Sequence, residues 1–136
     1  MLDQISIFLE NKPGRLAAVM DVLSKANTDM RAFTIADTTD FGIVRIIVDD
    51  TEKALKALKE NDFTATRSKV IGFTIPDRPG EMSKVIDILQ EANASIEYSY
   101  SFMGSRADEA DIAVRVQDNE AAEKALMDKG VKIISL

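Results

Sequence analysis

Asn11-Lys12-Pro13-Gly14-Arg15-Leu16 stands between a short apolar run and a helical apolar pattern, and it comes back as Asp77-Arg78-Pro79-Gly80-Glu81-Met82. Ahead of the first copy, Ile5, Ile7 and Leu9 alternate as on one face of a strand, with Phe8 on the other. Behind it, Leu16, Val19, Met20 and Leu23 recur at helical spacing. A strand-to-helix turn built on Pro-Gly brings backbone close to whatever binds there. It also aims the N–H groups of the helix's first turn outward, where an anion such as a carboxylate is attracted.

Outward from that loop the chain reads as strand, helix, strand, strand, helix, strand. The first helix is expected to end near Ala26-Asn27, because Asn tolerates the left-handed C-terminal position. Met30 to Ala36 is a second strand, Asp37-Thr38-Thr39-Asp40 a turn, and Ile43 to Val48 a β-branched third strand. Asp49-Asp50-Thr51 supplies a cap for a short helix ending near Asn61, and Phe63 to Thr66 is a fourth strand. The pattern then restarts. Pro13, Gly14, Val19, Asp21, Leu23, Ala26 and Asn27 recur about 66 residues later as Pro79, Gly80, Val85, Asp87, Leu89, Ala92 and Asn93. Ile96 to Phe102, a turn over 104–109, Ile112 to Val116, a helix capped by Asp118 and ended by Gly130, and Val131 to Ser135 complete the second copy.

The fold expected is therefore α+β: two tandem ferredoxin-like βαββαβ units, residues 1–68 and 69–136, each an antiparallel sheet with helices on one face. Thr66 to Val70 leaves almost no linker, so the units are expected to pack side by side.

Composition narrows the function. Among 136 residues, charged side chains make up 29% and the net charge is −6, which disfavours nucleic acid and anionic membrane surfaces. There is no Cys and no His, which removes thiolate chemistry, disulfides and the commonest general base and metal ligand. No apolar run approaches the roughly 20 residues of a membrane span, and residues 1–4 carry no secretion signal, so the cytoplasm is the expected compartment. Asp49-Asp50 reads as a helix cap and Asp108-Glu109 as a solvated turn, so neither a metal nor another cofactor is expected.

The run Phe8-Leu9-Glu10-Asn11-Lys12-Pro13-Gly14-Arg15-Leu16, the helix to Asn27, and Phe41-Gly42-Ile43-Val44-Arg45-Ile46-Ile47-Val48 resemble the ACT domain family, the small-molecule regulatory modules of amino-acid metabolism. The resemblance covers the chain twice and implies a stand-alone pair without an enzyme domain. It also implies a site where two ACT domains meet, the loop of one facing strand two of the other. On this chain that pairs Asn11, Lys12, Pro13, Gly14, Arg15 and Leu16 with Glu97, Tyr98, Ser99, Tyr100, Ser101 and Phe102. A second site would pair Asp77, Arg78, Pro79, Gly80, Glu81 and Met82 with the strand from Arg31 that carries Ile35, Ala36 and Asp37. Acidic Asp77 and Glu81 replace Asn11 and Arg15, so the first loop is expected to be the better carboxylate site.

Asn11 reads either as a ligand contact or as an Asx-turn before Pro13, and Lys12 and Arg15 as ligand cations or solvated charges. Alternation on a strand would put Tyr98, Tyr100 and Phe102 on one face and Ser99 and Ser101 on the other. The function expected is non-catalytic: a sensor of a free amino acid, aromatic or branched-chain, or of a similar small carboxylate metabolite, whose binding shifts domain packing or oligomer. A homodimer is expected, with an enzyme of amino-acid metabolism as a further partner. The alternatives are a protein-binding regulatory subunit without its own ligand and a small ferredoxin-like enzyme.

Overall fold

The computed structural model describes residues 1–37 and 40–135. Thr38 and Thr39 of the expected turn, and Leu136, lie outside the described residues. The elements are β1 (Leu2–Glu10), α1 (Arg15–Lys25), β2 (Met30–Asp37), β3 (Phe41–Val48), α2 (Thr51–Glu60), β4 (Thr64–Pro76), α3 (Glu81–Glu91), β5 (Ile96–Ser101), β6 (Glu109–Val116), α4 (Asn119–Asp128) and β7 (Lys132–Ile133). Two compact units result, one of Asp3–Ser68, the other of Met1–Leu2 with Lys69–Leu136.

In the first unit the strands run in the order β2-β3-β1-β4, antiparallel, with Ile5, Ile7 and Leu9 opposite Ile46, Val44 and Gly42. Their inward faces meet Val19 and Leu23 of α1 and Ala54, Leu55 and Leu58 of α2 in one buried cluster. Helical spacing puts these residues on a single stripe of each helix, which is why both helices lie on the same face of the sheet. The second unit repeats the plan. Strands β4, β6 and β5 follow in order with β7 also on β4, and Ile71, Phe73, Val114 and Val116 pack under Val85, Leu89, Ala122 and Leu126.

Local chemistry explains where the elements stop. Asp50 accepts a hydrogen bond from Lys53 N–H at 3.1 Å and caps α2, and Asp118 does the same for α4 through Ala121 N–H at 3.1 Å. Asn27 and Asn93 follow α1 and α3 with φ of 54° and 57°, the left-handed conformation that Asn adopts at low cost. Arg67 bridges Asp3 and Glu52 across the first unit, and both carboxylates raise its already high pKa.

Several details depart from the sequence reading. The fourth strand of the first copy and the first strand of the second are one strand, Thr64–Pro76, because nothing between Thr64 and Val70 turns the chain. Phe63, expected at the start of that strand, precedes it and is buried in the core. The closing strand is only Lys132–Ile133, where two residue pairs with β4 exhaust the register. Phe102 follows β5 rather than belonging to it, held by its N–H on Asp111 C=O at 2.9 Å. Each second strand also carries a register shift, between Met30 and Ala32 and between Ile96 and Tyr98. Arg31 and Glu97 are the extra residues, and beyond each the faces exchange.

Candidate functional site

The two Pro-Gly loops share one backbone. Asn11 N–H donates to Asp40 C=O at 3.0 Å, and Asp77 N–H to Asp108 C=O at 2.8 Å. Arg15 N–H returns to Lys12 C=O and Glu81 N–H to Arg78 C=O, each at 3.3 Å. Gly14 and Gly80 sit at the helix N-caps with φ of 85° and 87°, a conformation that a Cβ would strain. Neither helix receives a side-chain cap, so the first-turn N–H groups at Leu16 and Ala17, and at Met82 and Ser83, face outward at the positive end of the helix dipole.

Side chains make the copies unequal. In the first unit Asn11, Lys12, Arg15 and Leu16 line a pocket of about 210 Å³ together with Ile35 and Gly42. The Asn11 amide makes no hydrogen bond among the described residues, so backbone contacts rather than an Asx-turn hold the loop. Lys12 pairs with Glu10 at 2.8 Å, and that hydrogen bond, aided by the Lys12 and Arg15 charges, holds the Glu10 carboxyl below the usual carboxylate range. Arg15 lays its guanidinium over the Phe63 ring, 4.9 Å from the centroid. Its Nε is shielded from solvent with no hydrogen-bond partner among the described residues.

In the second unit the residue matching Arg15 is Glu81. Its carboxylate, only 13% exposed, is held by Arg78 at 3.2 Å and Lys84 at 3.1 Å. Asp77 is exposed, Pro79 and Gly80 form the turn, and Met82 packs on the core. The second loop thus offers an already neutralised carboxylate where the first offers a cation that no carboxylate pairs among the described residues.

The strand-two residues fall as alternation requires. Tyr98 and Tyr100 share a face, their rings stacked 6.5 Å apart at 17°, while Ser99 and Ser101 are exposed on the other. Ser99 Oγ donates to Ala113 C=O at 3.0 Å. The tyrosines lie opposite Arg115 and Ala113, so they occupy the sheet face turned from the helices. Ile35 is 47% exposed, Ala36 is exposed, and Asp37 ends β2 opposite Gly42. The structure therefore gathers Asn11, Lys12, Arg15 and Leu16 around Ile35 of their own unit. Pairing the loop with another unit's strand passed over that residue. Among the described residues no group of three acidic side chains could hold a metal ion, and no helix is long and apolar enough to cross a membrane.

A repeated βαββαβ unit with a glycine-capped first helix in each copy defines a pair of small ferredoxin-like modules. The chain belongs to the ACT domain pair family, whose model matches residues 1–135. It is similar to protein BT0572 from Bacteroides thetaiotaomicron, at 41% identity over 98% of this chain and 91% of that one, with a TM-score of 0.92. It also shares its fold with the ligand-free regulatory subunit of aspartate kinase from Thermus thermophilus, at 18% identity over 93% of this chain and 90% of that one and a TM-score of 0.67. The aspartokinase alpha and beta subunits match at 16% identity over 94% and 96%, with a TM-score of 0.59. No curated protein matches the sequence.

Proposed function

We propose that this protein is a non-catalytic sensor that binds a free amino acid at the loop Asn11–Leu16, with the opposite wall drawn from a second ACT unit around Tyr98 to Phe102. One observation carries the reading. An uncapped helix N-terminus, a free Asn11 amide and the positively charged Arg15 border one pocket. Together they supply N–H donors and positive charge for a carboxylate, and Phe63 holds the guanidinium in place before the ligand arrives. The regulatory ACT relatives support a linkage role: a ligand that prefers one packing or oligomer shifts that equilibrium by its differential affinity.

Thermal unfolding of the full chain against each common amino acid tests this. One class should stabilise it, by about 2.7 kcal/mol at a hundredfold excess over Kd. Asn11→Ala should weaken the effect, and Gly14→Val should abolish the part of it that comes from the loop. No shift with any amino acid at millimolar concentration refutes the reading.

A second reading, a regulatory subunit that docks on a protein, is favoured by apolar exposure. Phe8 is 46% and Phe41 55% exposed, and their β-partners Ile43 and Glu10 place both on the sheet face turned from the helices. Phe8→Glu would then abolish assembly in light scattering while leaving amino-acid binding intact.

A further inference from the structure

The two units differ where the chain leaves the second helix of each copy. In the first, Phe63 follows α2, and its N–H bonds Leu58 C=O at 3.0 Å. In the second, Val131 follows α4 in the same turn, its N–H on Leu126 C=O at 3.0 Å. The backbone is the same and the side chain is smaller. Phe63 is 7% exposed and lies under Arg15, filling the space between the C-terminal end of α2 and the start of α1. Val131 leaves the matching space open. The result is a groove of about 520 Å³ within the second unit, inside the range of roughly 300–1,000 Å³ usual for small-molecule sites.

The groove has an apolar floor of Ile75, Val85, Ile88 and Val131. Its charged rim is largely self-compensating: Lys84 is bound to Glu81 at 3.1 Å, and Lys132 lies 3.9 Å from Glu109. Two rim groups remain without an ion-pair partner among the described residues, the Lys129 ammonium and the Asp108 carboxylate. One spare cation and one spare anion over an aliphatic floor match a zwitterion that carries an aliphatic side chain. A simple anion would leave Asp108 unanswered, and a simple cation would leave Lys129 so.

We propose that this groove is a second binding site, independent of the loop Asn11–Leu16, for an aliphatic amino acid. The ligand's carboxylate meets Lys129, its ammonium meets Asp108, and its side chain covers Val85, Ile88 and Val131. Gly130 lines the groove with φ of 80°, a backbone conformation that a Cβ would strain.

The test is a titration of the full chain with L-leucine, followed by amide NMR shifts. Saturable shifts should appear at Val85–Ile88 and Gly130–Lys132. Val131→Phe, which restores the aromatic plug found in the first unit, should abolish them. Lys129→Glu, on the exposed rim, should weaken binding about tenfold, and isopentylamine and 4-methylpentanoate, each lacking one charge, should bind about tenfold more weakly than leucine. Asn11→Ala should leave these shifts intact, which separates this site from the loop. Absence of saturable shifts, shifts confined to residues 11–16, or binding unchanged in both Val131→Phe and Lys129→Glu would overturn the proposal. Should Val131→Phe not fold, Lys129→Glu alone decides.

Discussion

Replacing Phe63 by Ala probes the contact that seats the Arg15 guanidinium beside the first unit's loop. The ring is 7% exposed and belongs to the first core with Leu55, Leu58 and Ala65, so truncation removes nearly a full aromatic side chain from a packed environment. Such changes cost about 3–5 kcal/mol. The residue keeps 7% of its surface exposed, so water can enter the space left behind and the lower end, about 3 kcal/mol, is expected. For a chain of this length that corresponds to a fall in Tm of roughly 10–15 °C. The matched replacement Val131→Ala removes two methyl groups from a half-buried residue and should cost less than about 1.5 kcal/mol. Urea unfolding followed by circular dichroism reads both, with the slope m unchanged. A double-mutant cycle with Arg15→Ala isolates the cation over the ring, at 4.9 Å, and should give a coupling of about 0.5–1 kcal/mol. A cost below about 1 kcal/mol for Phe63→Ala, or a coupling indistinguishable from zero, refutes the claim that Phe63 both fills the space and positions the guanidinium.

Asp50→Ala should cost about 1 kcal/mol by removing the cap on Lys53 N–H, and Asp50→Asn should recover most of it in the same unfolding assay. Lys12 holds the Glu10 carboxyl below its ordinary value, so this pairing stabilises the fold above the unfolded-state pKa of Glu10 and is lost as pH falls through the folded one. In a carboxyl NMR titration, Lys12→Ala should move the Glu10 midpoint upward. Gly72→Ala should destabilise by about 1–3 kcal/mol, since the new Cβ would meet Leu2 Cδ1 at 2.5 Å and Ile134 Cβ at 3.3 Å; Leu2→Ala in the same chain should recover part of the loss.

Most of the architecture was legible because the signals that carry it are local. Pro13-Gly14 and Pro79-Gly80 mark the turns, the apolar stripes of α1 and α3 have helical period, and Asp50, Asp118, Asn27 and Asn93 are chosen for caps and termini by their own side chains. What was not legible depends on relations between segments. The shifts at Arg31 and Glu97 exist only relative to β3 and β6, because a strand's own alternation does not record an extra residue opposite its partner. The fusion of two expected strands into Thr64–Pro76 depends on what each end pairs with, and no turn residue contradicted either reading. The pocket beside Ile35 is a relation of the same kind, because it forms only where the first loop meets β2 of its own unit.

The contrast between Arg15 and Glu81 was visible as a change of charge, and its meaning comes from what lies beneath. A guanidinium half-buried at a helix start needs a partner that does not consume its donors, and the Phe63 ring supplies one through its face. Where Val131 stands instead of a ring, a cation at position 81 would lose that support. A carboxylate there is stabilised by Arg78, by Lys84 three residues on, and by the helix dipole. The charge reversal and the loss of the ring are thus one change in two places. It leaves the first unit with a preset cation beside its loop and the second with an open groove over its core. Duplicated units that keep the same turn, with Gly14 and Gly80 within 2° of one another in φ, can therefore present different chemistry to a ligand without any change of fold.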